Sequence, residues 1–92
     1  MNKYDFAVLE VALRDLHMFV DSPKRLCKLA GVEWGKVFDF VVEATPLSND
    51  EGARLIQVIH NACPAALFRG IDYIFRCYGS LDKTILIKSI YG

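Results

Sequence analysis

Apolar residues recur at spacings of three and four along nearly all of this chain, and that repeat winds a polypeptide into helices rather than pairing it into sheets. From Tyr4 to Val20 the stripe is Phe6, Leu9, Leu13, Leu16 and Val20. Val8, Val11, Met18 and Phe19 lie off it, so the first helix is apolar on more than one side. Such a helix is either central in a bundle or carries part of an interaction surface.

The breaks between periodic stretches carry helix-end chemistry. Asp21-Ser22-Pro23 stops the first helix and starts a short second one, with Ser22 placed to cap and Pro23 suited to the first helical position. This second helix turns Leu26, Leu29 and Ala30 inward and Lys24, Arg25 and Lys28 outward, and Gly31 stands where a left-handed terminating residue is needed. Val32 to Ala44 reads as a third helix with Trp34, Val37, Phe38 and Val41 as its buried face and Gly35 weakening its first turn. Thr45-Pro46-Leu47-Ser48-Asn49-Asp50 is a turn, and Ser48 with Glu51 forms a capping-box signature. A fourth helix then runs from about Asp50 to Asn61, with Ala53 or Leu55, Ile56, Ile59 and Ala62 inside. Pro64 opens a fifth, whose Leu67, Ile71, Ile74 and Tyr78 step by four, three and four until Gly79. Ser80 can cap a sixth. Its segment, Leu81 to Tyr91, includes the β-prone Thr84-Ile85-Leu86-Ile87, but a lone strand finds no partner, so a final helix is the consistent reading. The expected fold class is therefore all-α, a compact six-helix bundle.

Length and charge narrow the function. With 92 residues, 53 % of them apolar, the chain fits one domain over 1–92 that can close a core without disulfides or metal. Eleven basic and eleven acidic side chains cancel. That balance removes the long-range attraction by which nucleic-acid binders neutralise phosphate and membrane-surface proteins approach anionic lipid, so neither partner is expected. No signal-peptide pattern and no run of ~20 apolar residues is present, which points to a cytoplasmic home. Cys27, Cys63 and Cys77 lie in apolar segments without C-x-x-C spacing and read as buried free thiols.

Candidate chemistry is sparse. His60 and Cys63 are three apart on one helix and could bind metal with Cys27 or His17, or serve as base and nucleophile. Zinc modules, however, show paired ligands at tight spacing, and side chains on one short helix rarely form a pocket with an oxyanion site. No glycine-rich phosphate loop, paired-carboxylate motif or nucleophile elbow appears, so no enzyme, cofactor or metal is expected. Arg25 to Val37, with Ala30-Gly31-Val32 at the turn, resembles a helix-turn-helix, and a small DNA-binding regulator is the alternative reading. Its recognition helix would offer Glu33, Asp39 and Glu43 with Lys36 as the lone base, and carboxylates are repelled by a phosphate backbone.

The charges are also segregated. Lys24, Arg25 and Lys28 cluster on the second helix, Asp39 and Glu43 sit one turn apart on the third, and Asp50 and Glu51 open the fourth. Any one of these is ordinarily a solvated surface charge. Opposite patches on different sides, though, allow copies to meet head to tail, a heterologous contact that grows into a ring or filament.

The order of an apolar first helix, the Ser22 to Val32 segment, and Ala53 to Ala62 leading into Leu67 to Gly79 resembles the effector-associated domains of bacterial conflict and defence systems. These belong with the bacterial death-like domains and are similar to the caspase-recruitment branch of the death fold. Where such domains often show Tyr-Pro-x-Asn, this chain has Tyr78-Gly79-Ser80-Leu81. The resemblance implies a six-helix antiparallel Greek-key bundle without catalytic residues. It also implies a recruitment adaptor in bacterial immunity, pairing with itself or with a like domain on an effector such as a protease, nuclease, pore former or ATPase. Contact positions are not a family motif, so Lys24, Arg25, Lys28, Asp39, Glu43 and Asp50 rest on this chain's own charge map.

Overall fold

The first helix organises the rest because every other described helix packs against it. A computed structural model describes residues 1–19 and 23–77. Over them run α1 (Lys3–Phe19), α2 (Pro23–Ala30), α3 (Trp34–Glu43), α4 (Asn49–Ala62) and α5 (Pro64–Cys77), with no strand among the described residues. The expected cap at Ser22, Val20, Tyr78 and the sixth helix with its Ser80 cap lie outside the described residues. The radius of gyration is 12.1 Å, that of a closely packed small domain.

Helix α1 begins one residue before the expected Tyr4 and carries a cap that its periodicity does not announce. Asn2 Oδ1 accepts from the Tyr4 and Asp5 amides, both at 2.9 Å, while Asp5 Oδ2 accepts from the Asn2 amide at 3.0 Å. This reciprocal arrangement satisfies orphan donors at a helix start, and it accounts for a carboxylate buried at position 5. The sequence signal is Asn followed three residues later by an acid, just before an apolar run.

Beyond the cap, α1 buries Val8, Leu9, Ala12, Leu13 and Leu16. Val8, which the spacing leaves off the stripe, is fully buried, and Phe6 is only half-buried. The most extensive packing is with α5, whose Ala66, Leu67, Gly70, Ile71 and Ile74 face it or the shared core. Gly70 permits that approach: a Cβ there would lie 2.8 Å from the Val8 carbonyl oxygen. An Arg69–Asp15 ion pair flanks the same seam.

Helix α2 ends in the way its glycine implies. Gly31 has φ +71°, its amide donates to the Lys28 carbonyl at 3.2 Å, and the Val32 amide donates to Cys27 at 3.0 Å. Together these form a Schellman ending. Arg54 of α4 then donates to the Ala30 and Gly31 carbonyls at 3.2 and 3.4 Å, fastening the α2–α3 turn to α4. Helix α4 opens with the expected capping box: the Glu51 amide donates to Ser48 Oγ at 3.1 Å, and the Ser48 amide donates to Glu51 Oε1 at 3.3 Å. Only Cys63 separates α4 from α5, and Pro64 supplies the first residue of α5, where a missing amide is harmless.

Three inward assignments need correction. Leu29 is 66 % exposed, because the buried row of α2 is Leu26, Cys27 and Ala30. On α3 the buried residues are Val37 and Phe40, whereas Phe38 is 47 % exposed. Between Val37 and Val42 only Asp39 is polar, so two overlapping apolar rows fit one helix and spacing alone cannot choose between them. The choice is tertiary: Phe40 meets Phe6 edge-on with ring centroids 6.2 Å apart. On α4, Leu55 and not its alternative Ala53 is buried, Ala62 faces solvent, and Gly52 takes an inner place beneath Phe6 and Met1.

The two extremes among the helical glycines give a test of this packing. Gly70→Ala forces a methyl group against the α1 backbone, and overpacking should outweigh the gain in helix propensity, lowering unfolding free energy by about 1–2 kcal/mol. Gly35→Ala meets nothing within 4 Å and should raise it by roughly 0.5 kcal/mol. Urea denaturation of both variants measures the pair, and a neutral Gly70→Ala would contradict the close α1–α5 seam.

Candidate interaction surface

The outward rows of α2 and α3 share one pattern. On α2 the exposed residues Lys24, Arg25, Lys28 and Leu29 stand at relative positions 0, 1, 4 and 5. On α3, where Gly35 and Lys36 are exposed nearer the start, the exposed residues of the last two turns, Phe38, Asp39, Val42 and Glu43, stand at the same relative positions. Residues so spaced form a contiguous four-residue patch on one helix face. The first patch holds three cations and one aliphatic side chain; the second holds two carboxylates and two apolar side chains. Leu29 and Val42 are 66 % and 58 % exposed; single exposed apolar residues are ordinary, and it is their grouping with Phe38 and the charged rows that marks a candidate contact surface.

Local structure fixes both rows. Burial of Leu26, Cys27 and Ala30 leaves the cations of α2 outside, and burial of Val37 and Phe40 turns Asp39 and Glu43 outward. Trp34, half-buried, stands a turn before Phe38 with ring centroids 6.2 Å apart and extends the apolar row toward the start of α3.

Among the described residues, Lys24, Arg25, Lys28, Asp39 and Glu43 make no ion pair. Asp50 differs. It is exposed in the first turn of α4 and pairs with Arg54 at 3.0 Å, the same arginine that holds the α2–α3 turn. Exposed pairs one turn apart are weak, so Asp50 remains open to a second cation. Glu51 is more firmly held. The Ser48 amide first, then its hydroxyl and the Lys36 ammonium at 3.2 Å, keep its carboxyl below the usual carboxylate range. Its contribution to stability is therefore present above the ordinary glutamate range and is lost as pH falls through the lowered value.

Other chemistry finds less support in the geometry. The α2–Gly31–α3 segment does form a helix, a tight turn and a helix. Along α3, however, Lys36 is engaged by Glu51, and the exposed row offers two carboxylates and two apolar groups, which cannot donate to base edges. Among the described residues, no three His, Cys, Asp or Glu side chains converge as a metal site. Cys63 is half-buried beside Pro64, and the side chain of His17 lies outside the described residues. A shallow apolar groove of about 340 Å³ runs between α1 and the α3–α4 turn, lined by Lys3, Phe6, Glu10, Phe40, Pro46 and Leu47. It lacks a convergent set of polar groups of the kind that orients a substrate.

The chain matches no protein-family model, no curated protein and no solved structure. Among the described residues, no helix is long and apolar enough to cross a membrane.

The expectation of three buried thiols is corrected by their placement: Cys27 is buried, Cys63 half-buried and Cys77 exposed at the end of α5. Burial pushes the Cys27 thiol above its ordinary value. Because the thiolate is the nucleophile, alkylation of the folded protein should modify Cys77 first, Cys63 more slowly and Cys27 only on unfolding. Mass spectrometry of a timed iodoacetamide reaction reads the order. Early modification of Cys27 would contradict the core assignment.

Proposed function

We propose that this chain is a protein-interaction domain that associates with copies of itself or with a like domain on an effector, and that α2 and α3 supply the two halves of the contact. The observation that carries the reading is the pair of exposed rows with one spacing and opposite charge. A cationic row on one molecule can lie against an anionic row on the next, leaving the first with its anionic row unused and the second with its cationic row unused. Such a contact is head to tail and propagates. In it, Lys24, Arg25 and Lys28 face Asp39 and Glu43, with Asp50 at the margin.

The finer assignment rests on the resemblance to effector-associated and bacterial death-like domains. On this reading the fold is a single six-helix antiparallel bundle of the death-fold type. The protein is a cytoplasmic adaptor without an active site, recruiting a protease, nuclease, pore former or ATPase in bacterial defence. The helix-rich, closely packed architecture is compatible with this.

Electrostatics of this kind set partner choice and register more than raw affinity. Arg25→Glu should therefore weaken self-association by about three- to tenfold at low salt, from the loss of one or two exposed pairs and the added repulsion. Mixing it with Glu43→Arg should recover part of the loss, because the reversed charges then face each other. Sedimentation velocity across concentration measures both. If each single variant assembles as the parent does, the charge assignment is wrong, and a salt-dependent shift with duplex DNA would favour the helix-turn-helix reading instead.

A further inference from the structure

The charges alone leave unexplained why each row also exposes large apolar side chains. Leu29 continues the cationic row of α2, and Phe38 and Val42 run through the anionic row of α3. Exposed pairs between solvated charges contribute little individually, and stable interfaces have a desolvated apolar centre inside a polar rim. We infer that Leu29 of one copy seats against Phe38 and Val42 of a second copy and forms the apolar centre of the head-to-tail contact, with the lysines, arginine and carboxylates as its rim. This rests on the reading of the two rows as mutual docking faces, and it goes beyond it by naming what holds the contact together.

The occupant is a second copy because of the charge complementarity. An apolar group flanked by Arg25 and Lys28 is matched by apolar groups flanked by Asp39 and Glu43. Two α2 rows meeting each other would oppose cation to cation, and two α3 rows would oppose acid to acid. Only the mixed pairing covers Leu29, Phe38 and Val42 while placing opposite charges around them. Among the described residues, the remaining large exposed apolar groups, Phe68 and Tyr73 on α5, are five residues apart and diverge around the helix, and the charges beside them, Arg69, Asp72 and Arg76, are of mixed sign and do not form a row of one sign.

An apolar centre and a purely electrostatic contact respond differently to salt and to truncation. With the full chain in sedimentation velocity, Leu29→Ser and the double variant Phe38→Ser/Val42→Ser should each raise the concentration needed for assembly by about tenfold or more. Parent assemblies should persist at 0.5 M salt, where exposed charge pairs are screened. A mixture of the two variants keeps one intact face on each molecule. It should give a one-to-one dimer that grows no further, a result that loss of folding in either variant cannot produce. If the charge-reversal variants weaken assembly while both apolar variants assemble as the parent, the apolar centre is overturned and the docking faces stand. If the parent stays monomeric at every concentration, the underlying reading fails and this inference with it.

Discussion

Helix α5 can approach α1 closely because position 70 has no side chain, and the rest of the structure depends on that approach. The Val8 carbonyl occupies the space a Cβ would need, so backbone meets backbone, and Leu67, Ile71 and Ile74 of α5 are buried in the same core as Leu9 of α1. Once α1 is held in this way, its remaining sides serve α2, α3 and α4. Close packing of this kind gains dispersion contacts along with the removal of apolar surface from water, and it tolerates little change in volume.

Order at the helix ends follows from hydrogen-bonding demands as much as from the core. The Asn2–Asp5 and Ser48–Glu51 boxes satisfy amides that would otherwise lack partners, and Gly31 closes α2 with Arg54 reaching across from α4. Arg54 is thus a fastening between the turn that joins α2 to α3 and the helix behind it. Because that turn is held from outside, α2 and α3 can both present solvent-facing rows while their inner residues stay packed. The proposed contact needs exposed charges at a set spacing, and Arg54 ties the turn between the two rows to α4.

Much of the helical plan was legible in the sequence where local chemistry decides. Proline at the starts of α2 and α5, glycine after α2, and serine with glutamate before α4 each have one stereochemical use, and each is found in that use. The faces were less legible. Val8 and Phe6 are both apolar and both close to a three-four row, and which is buried depends on where α5 lies. Phe38 and Phe40 pose the same ambiguity on α3, resolved by the ring of Phe6. The charged members of the candidate surface could be read from the positions of the charges along the sequence, because charged side chains are seldom buried unpaired. Leu29, Phe38 and Val42 could not, since apolar residues are assigned inward until a structure shows otherwise.

Under the proposed function, the outer rows of α2 and α3 are the working surface of the molecule. A series of two-dimensional amide NMR spectra recorded on dilution tests it most directly, because each backbone amide reports its own surroundings. The account predicts concentration-dependent shifts concentrated in residues 24–29 and 38–43, with the amides of the α1–α5 seam unchanged. Shifts centred on α5 around Phe68 and Tyr73, or on the groove beside Leu47, would contradict it, as would spectra that do not change up to millimolar concentration.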